Sequence, residues 1–204
     1  MKKVVFLCSH LFSGSSQLYA AMQRNTRIQG YKGKNLNYYE SSMNIVNLMA
    51  CKHKANNNSA IFMDEINFNH QISTKSVYSS CKFVYVVRSP EQCVPQIISN
   101  FKYSALNAVR YYTFRLRRIC EMARNTPGAV LLTFDDLIND RGVDLINDYL
   151  ELVKPIDFNP NSLASYKNSA SADLLGSALR SQVCERYERY LYFLRNQSLR
   201  QPRL

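Results

Sequence analysis

The sequence predicts an α/β protein built on a mostly parallel sheet, and three observations carry that expectation. Four short apolar runs, Val4 to Cys8, Ala60 to Met63, Phe83 to Val87 and Ala129 to Phe134, are spread along the chain. Each is rich in β-branched or aromatic residues and nearly continuous in apolar character, as a strand covered on both faces should be. The intervals between them carry helical patterns and are long enough for right-handed crossovers.

The first run follows Lys2-Lys3, and its five apolar residues fall short of the roughly 7 to 15 of a signal-peptide core, so it reads as a buried strand. Ser15 to Arg24 has good helix formers. Ser41 to Cys51 places Met43, Val46, Leu48 and Met49 behind a serine cap, which predicts a second helix. Lys52 to Ser59, with Asn56-Asn57-Asn58, reads as a polar surface loop. After the third run, Pro90 suits the first turn of a helix continuing through Gln96-Ile97-Ile98. From about Ala105 to Arg124 the residues Val109, Tyr112, Leu116, Ile119 and Ala123 keep the spacing of a buried stripe. Arg110, Arg117 and Arg124 recur elsewhere on that helix, as a solvated face or as a surface for anions. A last helix is expected from about Ala172 to Leu194, ahead of a basic tail that frays from about residue 196.

The 204 residues favour one domain over the whole chain, because the buried fraction of surface rises with length. With 46% hydrophobic and 20% charged residues the composition is that of a soluble globular protein, and no apolar run approaches the roughly 20 residues of a membrane span. A net charge of +11 draws anions such as nucleotides, nucleic acid or acidic glycans, without choosing among them. Six cysteines without a CxxC pair or a zinc-type cluster fit a reducing compartment, and a cytoplasmic location is expected.

The chemistry begins after the first strand, at Ser9-His10-Leu11-Phe12-Ser13-Gly14-Ser15-Ser16, which leads straight into the helix starting Gln17-Leu18. Strand, small-residue loop and helix form an anion cradle when backbone N–H groups converge at the positive helix end and serine hydroxyls add donors. The alternative is that Ser13 to Ser16 only cap the helix. A nucleoside-triphosphate loop needs G-x-x-x-x-G-K-[ST], and here Ser15 follows Gly14, so the lysine for the β and γ phosphates is missing. The third strand supplies a second element, since Arg88-Ser89-Pro90 falls just past its end and a forked guanidinium there suits a phosphate.

Together these segments resemble the sulfotransferases that use 3′-phosphoadenosine-5′-phosphosulfate, PAPS. In that family a basic-S-G-[ST]-[ST] loop after the first strand binds the 5′-phosphosulfate, which Ser13-Gly14-Ser15-Ser16 resembles, and an R-[DNS]-P element carries the 3′-phosphate arginine, which Arg88-Ser89-Pro90 resembles. Leu131 to Leu137, ending Asp135-Asp136-Leu137, is similar to the acidic-acidic-Leu element after the fourth strand, and the likeness covers roughly residues 4 to 152. It implies a three-layer α/β sandwich with four to five strands, P-loop NTPase-like, and PAPS as donor with adenosine 3′,5′-bisphosphate, PAP, as product.

The chain departs from the family pattern in places. Phe12 stands where the family has a lysine or arginine, so the cation for the leaving phosphate has to come from His10, from another arginine or from backbone dipoles. Gln96 falls on the family's serine eight residues after the arginine, and the C-terminal arginine-lysine-glycine element has no match; Lys167, Arg180 or an arginine of the long helix are its possible substitutes.

Sulfuryl transfer asks the protein to position the reactants and stabilise charge on the leaving group, and by the family likeness no metal is expected. The acceptor hydroxyl or amine needs a base, and the candidates in order are Glu65, His70, Asp64 and His10. Asp64 and Glu65 as cap or loop residues and His70 as an ordinary loop histidine are the plainer readings, and His53 between lysines reads as solvated. Asp135 and Asp136 read as caps of a short helix near Leu137, and Tyr111-Tyr112 as packing or as the wall of an acceptor groove. The acceptor itself, an anionic glycan, a peptide or a small molecule, is not fixed. Two other classes compete: a small P-loop kinase, for which Asp64 would face magnesium, and a nonenzymatic basic RNA-binding module, which no RRM, KH or zinc-knuckle pattern supports.

Overall fold

Alternating strand and helix patterns resolve into a five-stranded parallel sheet with helices on both faces. The computed structural model describes residues 3–25, 28–30, 42–43, 61–66, 71–72, 79, 81–139, 141–163 and 172–198, with the backbone alone between 28 and 72. The chain opens with β1 (Lys3–Ser9) and α1 (Ser15–Arg24), then reaches β2 (Ile28–Gly30), β3 (Ser42–Met43), β4 (Ile61–Ile66) and β5 (Gln71–Ile72). It continues through β6 (Lys82–Val87), α2 (Pro90–Phe101), α3 (Ala105–Ala123), β7 (Val130–Thr133), α4 (Phe134–Ile138), α5 (Arg141–Leu150) and α6 (Ser177–Gln197).

The sheet order is β2-β4-β1-β6-β7, with every pair parallel. Period-two alternation divides the core between its faces. Val4, Phe6, Cys8, Phe83, Tyr85 and Val87 pack under α2, α3 and α6, whereas Val5, Leu7, Val84 and Val86 pack under α1, α4 and α5. The stripe expected on the long helix is the buried one, with Val109, Tyr112, Leu116, Ile119 and Ala123 all in the core.

Pairing across the sheet explains where elements differ from their local sequence signals. β4 runs on through Asp64 and Glu65 because its ladder with β1 continues to Cys8 opposite Ile66, so these acids lie within a strand and not in a cap or loop. Ser42–Met43 pairs with Gln71–Ile72, where apolar spacing predicts the start of a helix; a partner so remote in sequence leaves no mark on local periodicity. The rest of that expected helix, 44–51, lies outside the described residues.

The fourth apolar run ends one residue early, since Phe134 opens α4. Thr133 and Asp136 form a reciprocal cap, the Thr133 N–H donating to Asp136 Oδ2 at 2.7 Å and the Asp136 N–H to Thr133 Oγ1 at 3.3 Å. Asp136 is thus a capping residue, for a helix that starts before Leu137. The last helix is split: a short 3-10 turn at Ala172–Leu175 stops at Gly176, whose φ of +56 admits few side chains, and α6 then extends to Gln197. Among the described residues Cys8, Cys81, Cys93, Cys120 and Cys184 form no disulfide. Among the described residues no helix is long and apolar enough to cross a membrane.

Candidate functional site

Strand order locates the site. After β1 the chain builds β2 and β4 on one side of it and then crosses to β6 and β7 on the other. The crevice beyond the carboxyl ends of β1 and β6 is therefore the switch point at which open α/β sheets bind ligands. The segment from His10 to Gly14 leaves β1 there.

Two left-handed residues shape this loop, Phe12 at φ +60 and Gly14 at φ +91. A side chain at Gly14 would be strained by that φ, and its Cβ would stand 3.1 Å from Phe134 Cδ2. The Ser13 N–H closes the turn on the His10 carbonyl at 3.3 Å. Gly14 is the N-cap of α1 and brings no side chain to its first turn, where the Ser15 N–H meets Ser13 Oγ at 3.4 Å, and the helix end places a partial positive charge at the loop. Ser15 turns its hydroxyl inward, donating to Ser9 Oγ at 2.8 Å, while Ser16 is exposed. Residues 10–17 with Phe101 line a hollow of about 180 Å³, below the roughly 300 Å³ at which pockets for whole small molecules begin. It suits a tetrahedral oxyanion. Phe12, in the family's lysine position, sets its ring 6.2 Å from that of Phe101.

Arg88 lies directly beneath. It is 1% exposed, its Nη1 donates to the Phe12 carbonyl at 3.1 Å and its Nε to Gln92 Oε1 at 3.1 Å. The guanidinium carbon sits 3.8 Å from the centre of the Phe134 ring, the same ring that crowds Gly14. The two sequence-predicted anchors are therefore in contact, on one edge of the sheet.

His10 joins them. Its Nε2 receives the Arg88 backbone N–H at 2.9 Å and its Nδ1 meets the Leu11 carbonyl at 2.9 Å. An N–H can only donate and a carbonyl can only accept, so the ring is neutral with its proton on Nδ1. Burial pushes its pKa down to about 4, with the charges of Arg115 and Arg88 adding to the effect. His10 is thus neither the missing cation nor a base with a free lone pair.

The long helix α3 clamps the same crevice through three side chains. Tyr111 Oη accepts the Leu11 N–H at 3.1 Å, and Tyr112 Oη donates to the Arg88 carbonyl at 2.6 Å. Both tyrosines thus hold backbone; Tyr112 is fully buried, whereas Tyr111 is half-buried, and burial raises the pKa of Tyr111 to about 12. Arg115, fully buried, donates from Nε to the Ser9 carbonyl at 2.7 Å. Burial lowers its pKa, but a guanidinium stays protonated in proteins. A second permanent cation therefore stands behind the loop, on a residue the sequence reading passed over.

Gln96 is buried on α2 at 3% exposure. Asp64 and Glu65 lie in register with Phe6 and Leu7, near the end of β4 at the same sheet edge. His70, His53 and Lys167 lie outside the described residues. Arg180 is engaged with Glu91, its Nε 2.7 Å from Oε1.

No family model matches the chain, and no curated protein matches it by sequence. Solved structures do. A sulfotransferase from Alicyclobacillus acidocaldarius superimposes with a TM-score of 0.52 at 10% identity, covering 96% of this chain and 95% of that one. Mouse sulfotransferase SULT7A1 complexed with PAP gives 0.50 at 12% identity, covering 98% and 86%. The chain has the sulfotransferase fold, a P-loop-like α/β sandwich.

Proposed function

We propose that the protein is a PAPS-dependent sulfotransferase, passing a sulfuryl group to a hydroxyl or amine. The observation that carries this reading is the lysine-free loop capped by Gly14 with the Arg88 guanidinium 3.1 Å beneath its Phe12 carbonyl. The loop amides, with the side chains of Ser13 and Ser16, hold the 5′-phosphosulfate, while the Ser15 hydroxyl, turned to Ser9, braces the loop from behind. Arg88 and Gln96 serve the 3′-phosphate. Two of the bonds of Arg88 run to neutral acceptors, the Phe12 carbonyl and Gln92, and a phosphate oxygen outcompetes these two because a charged acceptor bonds about twice as strongly.

In the transfer, the acceptor oxygen or nitrogen forms a bond to sulfur as the sulfur–oxygen bond to the 5′-phosphate breaks. The acceptor proton passes to a base, and PAP leaves. Charge developing on the departing phosphate is met by helix-end amides and by the buried guanidinium of Arg115 behind the loop, where the family's lysine is replaced by Phe12. Glu65, Asp64 and His70 are the proposed sources of the base.

Titration calorimetry with PAP in EDTA, against ATP with magnesium, tests the proposal. Binding of PAP without metal is expected. Binding of ATP with magnesium and not of PAP would overturn it in favour of phosphoryl transfer.

A further inference from the structure

We propose that the groove between α3 and α6, on the side of α3 away from the sheet, is a docking site for an anionic polysaccharide chain. The groove holds about 660 Å³ and is lined by Arg110, Thr113, Phe114 and Arg117 of α3 and by Arg186 and Arg189 of α6. Among the described residues neither a lysine nor an acidic residue lines it.

Only part of this charge is compensated. Arg117 meets Glu121 at 3.0 Å and Arg189 meets Glu185 at 2.7 Å, whereas Arg110 and Arg186 have no ion-pair partner among the described residues. Glu121 is further divided, since Arg118 also takes it, at 2.7 Å. Guanidinium groups gathered this way repel one another and present forked donors matched to sulfate and carboxylate oxygens.

The shape suits a linear chain. Arg110 and Arg117 stand two turns apart, about 10 Å along α3, and face arginines one turn apart on α6. Phe114 carries the Arg118 guanidinium 5.1 Å from its centre but is 43% exposed, and Tyr190 lines the same groove, so a stacked nucleic acid is the competing ligand that the test separates. The opposite face of α3 carries Tyr111 and Arg115, which hold the loop, so a chain in the groove runs alongside the helix that shapes the transfer site. The choice of a polysaccharide rests on the sulfuryl-transfer reading, because such a chain supplies both anions for the groove and hydroxyls to be sulfated. The affinity of the groove for polyanions does not depend on that reading.

The test is calorimetry with a heparin octasaccharide at several salt concentrations, on the natural protein and on the double variant Arg110→Ser, Arg186→Ser. Both arginines are exposed, so the fold is retained, and PAP affinity is measured in parallel. The expected result is salt-sensitive binding that weakens about tenfold per arginine removed, with a salt slope shallower by about one for each, and unchanged PAP affinity. Equal octasaccharide affinity in the two proteins overturns the proposal, as does tighter binding of an oligouridylate or a polyglutamate of equal charge. If PAP binds neither protein while the octasaccharide still distinguishes them, the groove stands and the sulfuryl-transfer reading alone fails.

Discussion

The backbone N–H of Arg88 donates to Nε2 of His10 across 2.9 Å, tying the end of β6 to the end of β1. That bond exists only while the imidazole is neutral, because a protonated Nε2 would point a hydrogen at another hydrogen.

Stability should therefore fall on acidification. The folded-state pKa is about 4 against an ordinary 6.5, so between these values the unfolded chain binds more protons and stability rises with pH. The contribution is complete above about pH 6.5 and is lost as pH falls toward 4. Urea unfolding at about pH 7.5 and pH 5 should show a loss of about 2 kcal/mol from this group, absent in His10→Gln. An equal pH dependence in the two proteins would refute the assignment.

Gly14→Ala should damage folding and binding together. The substitution meets φ +91 and places a methyl 3.1 Å from the Phe134 ring, which predicts a loss of about 1 to 3 kcal/mol in unfolding experiments. PAP affinity should fall with it, because any relief of the clash shifts the amides that form the hollow. Unchanged affinity would place the nucleotide elsewhere.

The two buried arginines should separate by rescue. Arg88→Ala should weaken PAP binding by about 1.5 to 3 kcal/mol, the size of a charge-assisted contact. Arg115→Met keeps most of the buried volume but takes away the charge and the donor to the Ser9 carbonyl, so stability should fall by about 1 to 3 kcal/mol while PAP affinity drops; Arg115→Lys should restore part of both. Full affinity in the methionine variant would limit Arg115 to holding the Ser9 carbonyl.

For the base, Glu65→Gln and His70→Asn should be compared by turnover at saturating donor, once an acceptor is found. A fall of about a hundredfold in one of them, the usual weight of general base catalysis, is expected. Full activity in both would remove these residues from the chemistry.

What the sequence made legible was local. The β1 loop and α1 follow from small residues, one glycine and good helix formers that sit next to one another, and α3 announced its buried stripe by spacing alone. What stayed hidden depends on distant partners. β4 runs through Asp64 and Glu65 because β1 continues beside it, and β2, three residues long, has too little sequence to signal. Arg115 did carry a usable sign: it lies three residues after Tyr112 and four before Ile119, on the apolar stripe itself, and a cation in that position marks a buried charge. His10 was legible as a nearby titratable group, but its neutral state follows from an N–H and a carbonyl that only the folded chain brings to its two nitrogens.

Amide chemical shifts during titration with PAP in EDTA put the central claim to its most direct test. The largest changes should fall on the N–H groups of Ser13 to Gln17, with the Nε–H of Arg88 moving as it leaves Gln92 Oε1. Shifts centred on another part of the molecule, with the β1–α1 loop silent, would contradict the assignment of that loop as the phosphosulfate site.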